Sequence, residues 1–364
     1  MRDMGLDAVM FSASSQITSR GSLRYLFGYY MPVFEEYLVI FQNGDSTFFV
    51  HDGSSKDAIM LIDKAIDVCI IPQKEYICDP AATIAFFLRT QGAKSVGVIA
   101  DYGLSSHFWL SLQKNSHNIV LADFSDAFNR IRMVKSSAEI ELMKEAIKFN
   151  EDIFYEYMKH ISVGTREIDA VNAASCYAIT RGAEDMYWMV SSGSVPSLAH
   201  TASARRRNHV WQNGDYNYIV IEHSYTEGYF SEITQLFSLG RPKEEYVRAY
   251  NVLTEAQDTA SAMIKCGLEV NRLAKSVHSI MVKYGFSEQG SPALCIGHSQ
   301  GIDVSEFPVL DADDETIITP GMRFNIHPCI VLADGAKITS CESFLSTKGA
   351  AVRLSSLPRE INIV

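Results

Sequence analysis

The 364-residue chain has no run approaching the ~18–20 consecutive apolar residues that a membrane-spanning helix requires. Its N-terminus, MRDMGLDAVMFSASS, carries Asp3 and Asp7 where a secretory signal needs an apolar stretch, so no signal peptide is expected. Cationic residues are scarce: 32 Lys and Arg stand against 43 Asp and Glu, a formal charge of -11. That surface repels phosphate backbones and anionic lipid, which argues against nucleic acid or membrane as the main partner. The one basic run, Arg205 to Arg207, is too short to reverse this. Seven cysteines, at 69, 78, 176, 266, 295, 329 and 341, never fall in a CxxC spacing. They are expected as buried, reduced thiols of a cytoplasmic protein, not as zinc ligands. GxGxxG, GxxxxGK[ST], GxSxG and HExxH are all missing, which removes the commonest phosphate, nucleophile and zinc assignments. No internal repeat is present, so solenoids and propellers are excluded.

What is present suggests two domains, expected at 1–129 and 130–364. In the first, strand-like runs at Asp7–Phe11, Tyr37–Phe41, Ser46–His51, Val68–Pro72 and Ser95–Ala100 alternate with helical stretches at Ser55–Ile66 and Ala81–Gln91. That alternation predicts an α/β domain with a partly parallel sheet. The texture changes across Phe124–Lys135, and a long amphipathic helix follows Ser136, with Glu139 placed for a capping box. This helix is expected to connect the domains. Further helices are predicted at Arg166–Arg181, Glu244–Lys265 and Asn271–Tyr284, and strands at Tyr187–Ser191, Tyr216–Glu222, Ile233–Leu239, Arg323–Leu332 and Cys341–Ser346. The second domain therefore reads as α+β, with paired helices on a curved, mainly antiparallel sheet.

Several polar residues interrupt apolar texture in this second half. Glu222 and Glu232 lie ten positions apart around a turn containing Gly228. His298 follows Gly297 in IGHSQGIDVSEFP, and His200 ends the loop SSGSVPSLAH. A loop histidine is ordinarily a surface or hydrogen-bonded residue, and a carboxylate at a strand end is ordinarily solvated. His327 is different. It breaks FNI-H-PCIVL, where burying an imidazole demands a partner: a metal, a carboxylate or a substrate.

From about Arg130 to Ser346, the order of these segments resembles the pita-bread family of creatinase, prolidase, aminopeptidase P and methionine aminopeptidase. The resemblance rests on RIRMVKSSAEIELMKEA, SSGSVPSLAH, NGDYNYIVIEHSYTEGYFSEITQLF, IGHSQGIDVSEFP and PGMRFNIHP, and on LRYLFGY in the first domain. It implies an α/β creatinase-type N-terminal domain before an α+β pita-bread catalytic domain. Family metallopeptidases hold two divalent ions with two Asp, one His and two Glu. Matched to those motifs, the second Asp position is Glu232 and the first falls at Ile221 or Glu222. The His is kept as His298; the two Glu positions are His327 and Thr339. The family's second histidine is replaced by Ser305, which precedes Glu306.

Two adjacent divalent ions need about four negative charges and prefer oxygen ligands, which this set does not offer. No metal is therefore expected, or else a single divalent ion at Glu232, His298 and His327, a donor set that suits zinc or iron(II). Creatinase works without metal, and its resemblance implies that His200 shuttles the proton, while the position of its catalytic glutamate falls near Thr234. Glu222 resembles the Glu at the first ligand position of ectoine-hydrolase-like members. The expected function is hydrolysis of a C–N bond in a small-molecule substrate, with His200, Glu222, Glu232, His298 and His327 as site residues. The alternatives are a metal-dependent Xaa-Pro dipeptidase with an unusual ligand set, or a non-catalytic ligand-binding member. The resemblance also implies a homodimer, with Arg20, Arg24, Phe34 and Glu35 as candidates to reach a partner's pocket, though a surface position is the default for each.

Overall fold

The computed structural model describes residues 1–13, 20–28, 35–62, 66–99, 104–197, 209–286 and 295–364. The chain divides into two compact units, Met1–Ile131 and Arg132–Val364.

The first unit alternates β1 (Ala8–Ala13), α1 (Gly21–Phe27), β2 (Glu36–Phe41), β3 (Ser46–Val50), α2 (Gly53–Ile62) and β4 (Asp67–Ile70). It continues with α3 (Gln73–Cys78), α4 (Pro80–Thr90), β5 (Ser95–Val98), α5 (Ser106–Asn115) and β6 (Val120–Asp123), and α6 (Ser125–Met133) runs on into the second unit's sequence. The sheet order is β4-β3-β2-β1-β5-β6. Three of its pairings are parallel, β3 with β4, β1 with β5 and β5 with β6. Successive side chains point to opposite faces, so Met10, Val39 and Phe49 pack with Ile84 and Leu88 of α4 on one side. Val9, Phe11, Leu38 and Phe48 pack with Leu23, Ile59 and Phe128 on the other. Burial on both faces explains why β1 to β3 read as continuous apolar runs. Arg20 and Arg24 are buried here, not at the surface, while Glu35 accepts from the Tyr37 hydroxyl at 2.7 Å. Phe34 lies outside the described residues.

The second unit opens with α7 (Ser137–Met158), whose capping box is formed: Glu139 N–H donates to Ser136 Oγ at 3.3 Å, and Ser136 N–H to the Glu139 carboxylate at 2.8 Å. α7 lies wholly in this unit, so the element that crosses the boundary in sequence is α6, a correction to the expected role of the long helix. There follow α8 (Glu167–Ile179), β7 (Asp185–Gly193), β8 (Tyr216–Tyr225), β9 (Tyr229–Ser238), α9 (Glu244–Met263) and α10 (Asn271–Lys283). The short strands β10 (Gly297–Ser299), β11 (Glu306–Val309), β12 (Arg323–Ile326), β13 (Cys329–Val331), β14 (Lys337–Thr339), β15 (Glu342–Leu345), β16 (Val352–Arg353) and β17 (Asn362–Ile363) complete it.

These strands form not one sheet but three: β17-β9-β8-β7, β11-β10-β12-β15-β16, and the hairpin β13-β14. Ile219, Ile221, Ile233 and Phe237 turn one face of the first sheet onto Ile153, Phe154 and Tyr157 of α7. Tyr216, Tyr218 and Leu236, on the opposite face, pack on Tyr246, Tyr250 and Leu253 of α9 and on Ile330 and Ile338 of the hairpin. The expected strand Arg323–Leu332 is broken at His327-Pro328, because proline has no N–H for a ladder. β9 starts at Tyr229, before the expected Ile233, which brings Glu232 into the ladder. The cysteines are all free, but Cys78, Cys176, Cys266 and Cys295 are exposed at helix or strand ends and on the outward face of α8, contrary to the expected burial.

Candidate active site

The hairpin register determines which side chains meet. Across β7, β8 and β9, Tyr187 lies beside Glu222 and Glu222 beside Glu232; on the next row, Met189 lies beside Val220 and Val220 beside Thr234. Strand alternation puts both rows on the face away from α7, and all six residues line one cavity of about 450 Å³. A second wall comes from β13 and β14, where Cys329 pairs with Thr339 and Val331 with Lys337. His298, Val304, Ser305 and His327 close the cavity from the five-stranded sheet and its loops. The register also decides between Ile221 and Glu222: Glu222 faces the cavity, while Ile221 is buried in the α7 core.

His298 Nε2 stands 3.9 Å from Glu232 Oε2, and the His298 and His327 rings are 5.1 Å apart. One donor atom from each of Glu232, His298 and His327 falls within 4.8 Å of the others. His298 Nδ1 lies 2.7 Å from the Ser299 carbonyl; a carbonyl only accepts, so Nδ1 carries a proton and Nε2 presents the lone pair in the neutral ring. Gly297 makes this placement attainable. Its φ is +149°, and a Cβ there would meet the Asn325 carbonyl oxygen at 1.9 Å.

Glu232 is held from several sides. Asn325 Nδ2 donates to Oε2 at 3.3 Å and Thr234 Oγ1 to Oε1 at 3.3 Å. Arg323 donates to Asn325 Oδ1 and to the Phe230 carbonyl, and Asn325 also donates to Gln300. Burial pushes the Glu232 carboxyl up, but the imidazoles of His327 and His298, with the Cys341 thiol and Thr234 hydroxyl, more than offset this and hold it below the usual range. Glu222 goes the other way: burial, then the neighbouring Glu232 charge, raise it well above the usual carboxylate range. Burial lowers His298, and His327 adds to that.

The dinuclear centre implied by the resemblance does not fit these residues. Thr339 replaces a carboxylate and already donates its hydroxyl proton to the Pro328 carbonyl at 2.8 Å. Only Glu222 and Glu232 carry acidic charge into the cavity, and their environments favour a single negative charge between them. A single ion does fit the donors Glu232, His298 and His327.

His200 and the basic run at Arg205–Arg207 lie outside the described residues. The cavity brings together Glu222, Glu232, His298 and His327; Ser305 lines it too, whereas Glu306 joins an ion network with Arg132 and Lys135. Sequence reasoning missed Asn325, Arg323, Gln300, Cys341 and Lys337. The polar, alternate Arg and Asn of RFNI were a usable signal, since both positions lie in a buried strand.

Residues 141–356 match metallopeptidase family M24, and residues 1–134 match the creatinase/prolidase N-terminal domain. The chain is 26% identical to a Xaa-Pro dipeptidase of Pyrococcus horikoshii over 278 residues, 76% of this chain and 77% of that one. It is 29% identical to an ectoine hydrolase of Halomonas elongata over 281 residues, covering 73% and 69%. A prolidase structure from Thermococcus sibiricus superposes with a TM-score of 0.85 at 21% identity, covering 100% of this chain and 96% of that one, a likeness of fold.

Proposed function

The chain belongs to metallopeptidase family M24, a family of hydrolases, and from that premise we propose that it cleaves a C–N bond of a small molecule without the two-ion centre. The observation that carries this reading is the pair Glu222 and Glu232, side by side in the ladder with opposite protonation tendencies, in a site whose other carboxylate positions are His327 and Thr339. Two carboxyls pushed apart in this way divide the work. Glu232, ionised, orients a water against the substrate carbon. Glu222, protonated, donates a hydrogen bond to the oxygen or nitrogen where negative charge develops. His200, at the position matching the family's proton shuttle, takes the water proton and returns it to the leaving nitrogen. His298 and His327 hold Glu232 in its ionised form.

A second reading is favoured by the 4.8 Å cluster of Glu232, His298 and His327 together with the outward lone pair of His298. A single ion held there would polarise a carbonyl and lower the pKa of a water, as an unusual Xaa-Pro dipeptidase requires. Among the described residues no helix is long and apolar enough to cross a membrane, and a cytoplasmic homodimer completes the proposal. Elemental analysis with light scattering of protein purified without added metal tests it. A dimer holding well under one equivalent of zinc, iron, manganese or cobalt is expected. One equivalent favours the second reading, two equivalents contradict both, and a monomeric mass removes the dimer.

A further inference from the structure

The cavity has an acidic end and, on its second wall, a cation that the chemistry above does not use. β14 alternates so that Lys337 and Thr339 face the cavity while Ile338 enters the core behind them. Lys337 forms a row with Val331, one step along from the row of Thr339 and Cys329. Its backbone is fixed at both edges, by the pairing with Val331 and by its N–H donating to the Pro196 carbonyl at 2.9 Å. Burial raises the Cys329 thiol and the Lys337 ammonium pulls it back, consistent with a side chain lying along this wall. Lys337 is exposed, and it is the one lysine or arginine among the described residues lining the cavity. Met189, Val220, Val304 and Val331 supply apolar lining around it.

We infer that Lys337 is the specificity-determining residue of this site, and that the substrate carries a free carboxylate and an apolar side chain beside the C–N bond. The inference rests on the cavity being the active site. The ionised end of the site repels an anionic substrate, so the cation gives such a substrate one favourable orientation: carboxylate toward Lys337, C–N bond toward Glu222 and Glu232. A step of two residues along β14 separates the two ends by about 7 Å, close to the span from a carboxylate carbon to the far side of a neighbouring amide. An ammonium is a compact single charge, suited to one carboxylate more than to a doubly charged phosphate.

The probes are N-acetyl-L-leucine and N-acetyl-L-leucinamide, which differ by one charge. Calorimetry at low salt compares their binding to the wild-type protein and to the Lys337→Ala, Lys337→Arg and Lys337→Glu variants, with thermal melts to verify folding. The wild type is expected to bind the acid about five- to tenfold tighter than the amide, the range of a partly exposed charge-assisted contact. Lys337→Arg keeps the preference, Lys337→Ala removes it, and Lys337→Glu reverses it. The same acid-to-amide ratio in all four proteins, or no binding of either probe by the wild type, overturns the inference. A charge preference that follows residue 337 while no N-acyl or guanidino compound is cleaved upholds it and contradicts the hydrolase reading alone.

Discussion

Glu306 illustrates how a single side chain anchors the loop beside the site. Its carboxylate accepts from Arg132 at 2.5 Å and from Lys135 at 2.7 Å, and Arg132 also reaches Asp303 at 2.7 Å. Burial raises the Glu306 carboxyl, but Arg132 and Lys135 pull it down to about 2. Its folded-state value lies below the ordinary carboxylate value, so its contribution is full above about pH 4.5 and is lost as pH falls toward 2. Glu306→Gln leaves two buried cations short of a charge and is expected to cost about 3 kcal/mol at pH 7. Urea unfolding at pH 6 and pH 3 should show the wild type losing more stability than the variant over that interval; equal losses would contradict this assignment. At this scale the sequence was legible where a polar residue broke apolar texture, as at Glu232 and His327. It was opaque at Lys337, because a charged residue in a three-residue strand looks like any solvated loop lysine.

Among the elements, α7 was legible from its Ser136 and Glu139 cap, whose signal is local, and the long helices α9 and α10 from their 3.6-residue period. The strands β10, β13 and β14 were not, since three residues carry no period and their pairing is decided by partners distant in sequence. The position of the Glu222 partner likewise awaited the hairpin register, which no local pattern specifies. β10 depends on Gly297, whose backbone conformation and 1.9 Å clearance leave no room for a side chain. Gly297→Ala must separate β10 from Asn325 of β12, so it is expected to cost about 3 kcal/mol or more and to displace His298. A thermal melt within a degree of the wild type would show that the β10–β12 contact tolerates a Cβ.

For the whole molecule, the family was legible in the ordered motifs, and the departures from its ligand set were legible at the same residues. What the donors hold was not, because that depends on how burial divides protons and charge between Glu222, Glu232, His298 and His327. The account's central claim is that side chains, not two metal ions, carry the reaction. Once a cleaved N-acyl or guanidino compound is in hand, turnover is compared between wild type, wild type dialysed against EDTA, and His200→Ala. Removal of a general acid–base group typically costs about 10²–10⁴-fold. The account predicts a loss of that size for His200→Ala and a loss of less than about threefold after EDTA; turnover abolished by EDTA, restored by zinc or manganese and little changed in His200→Ala would contradict it.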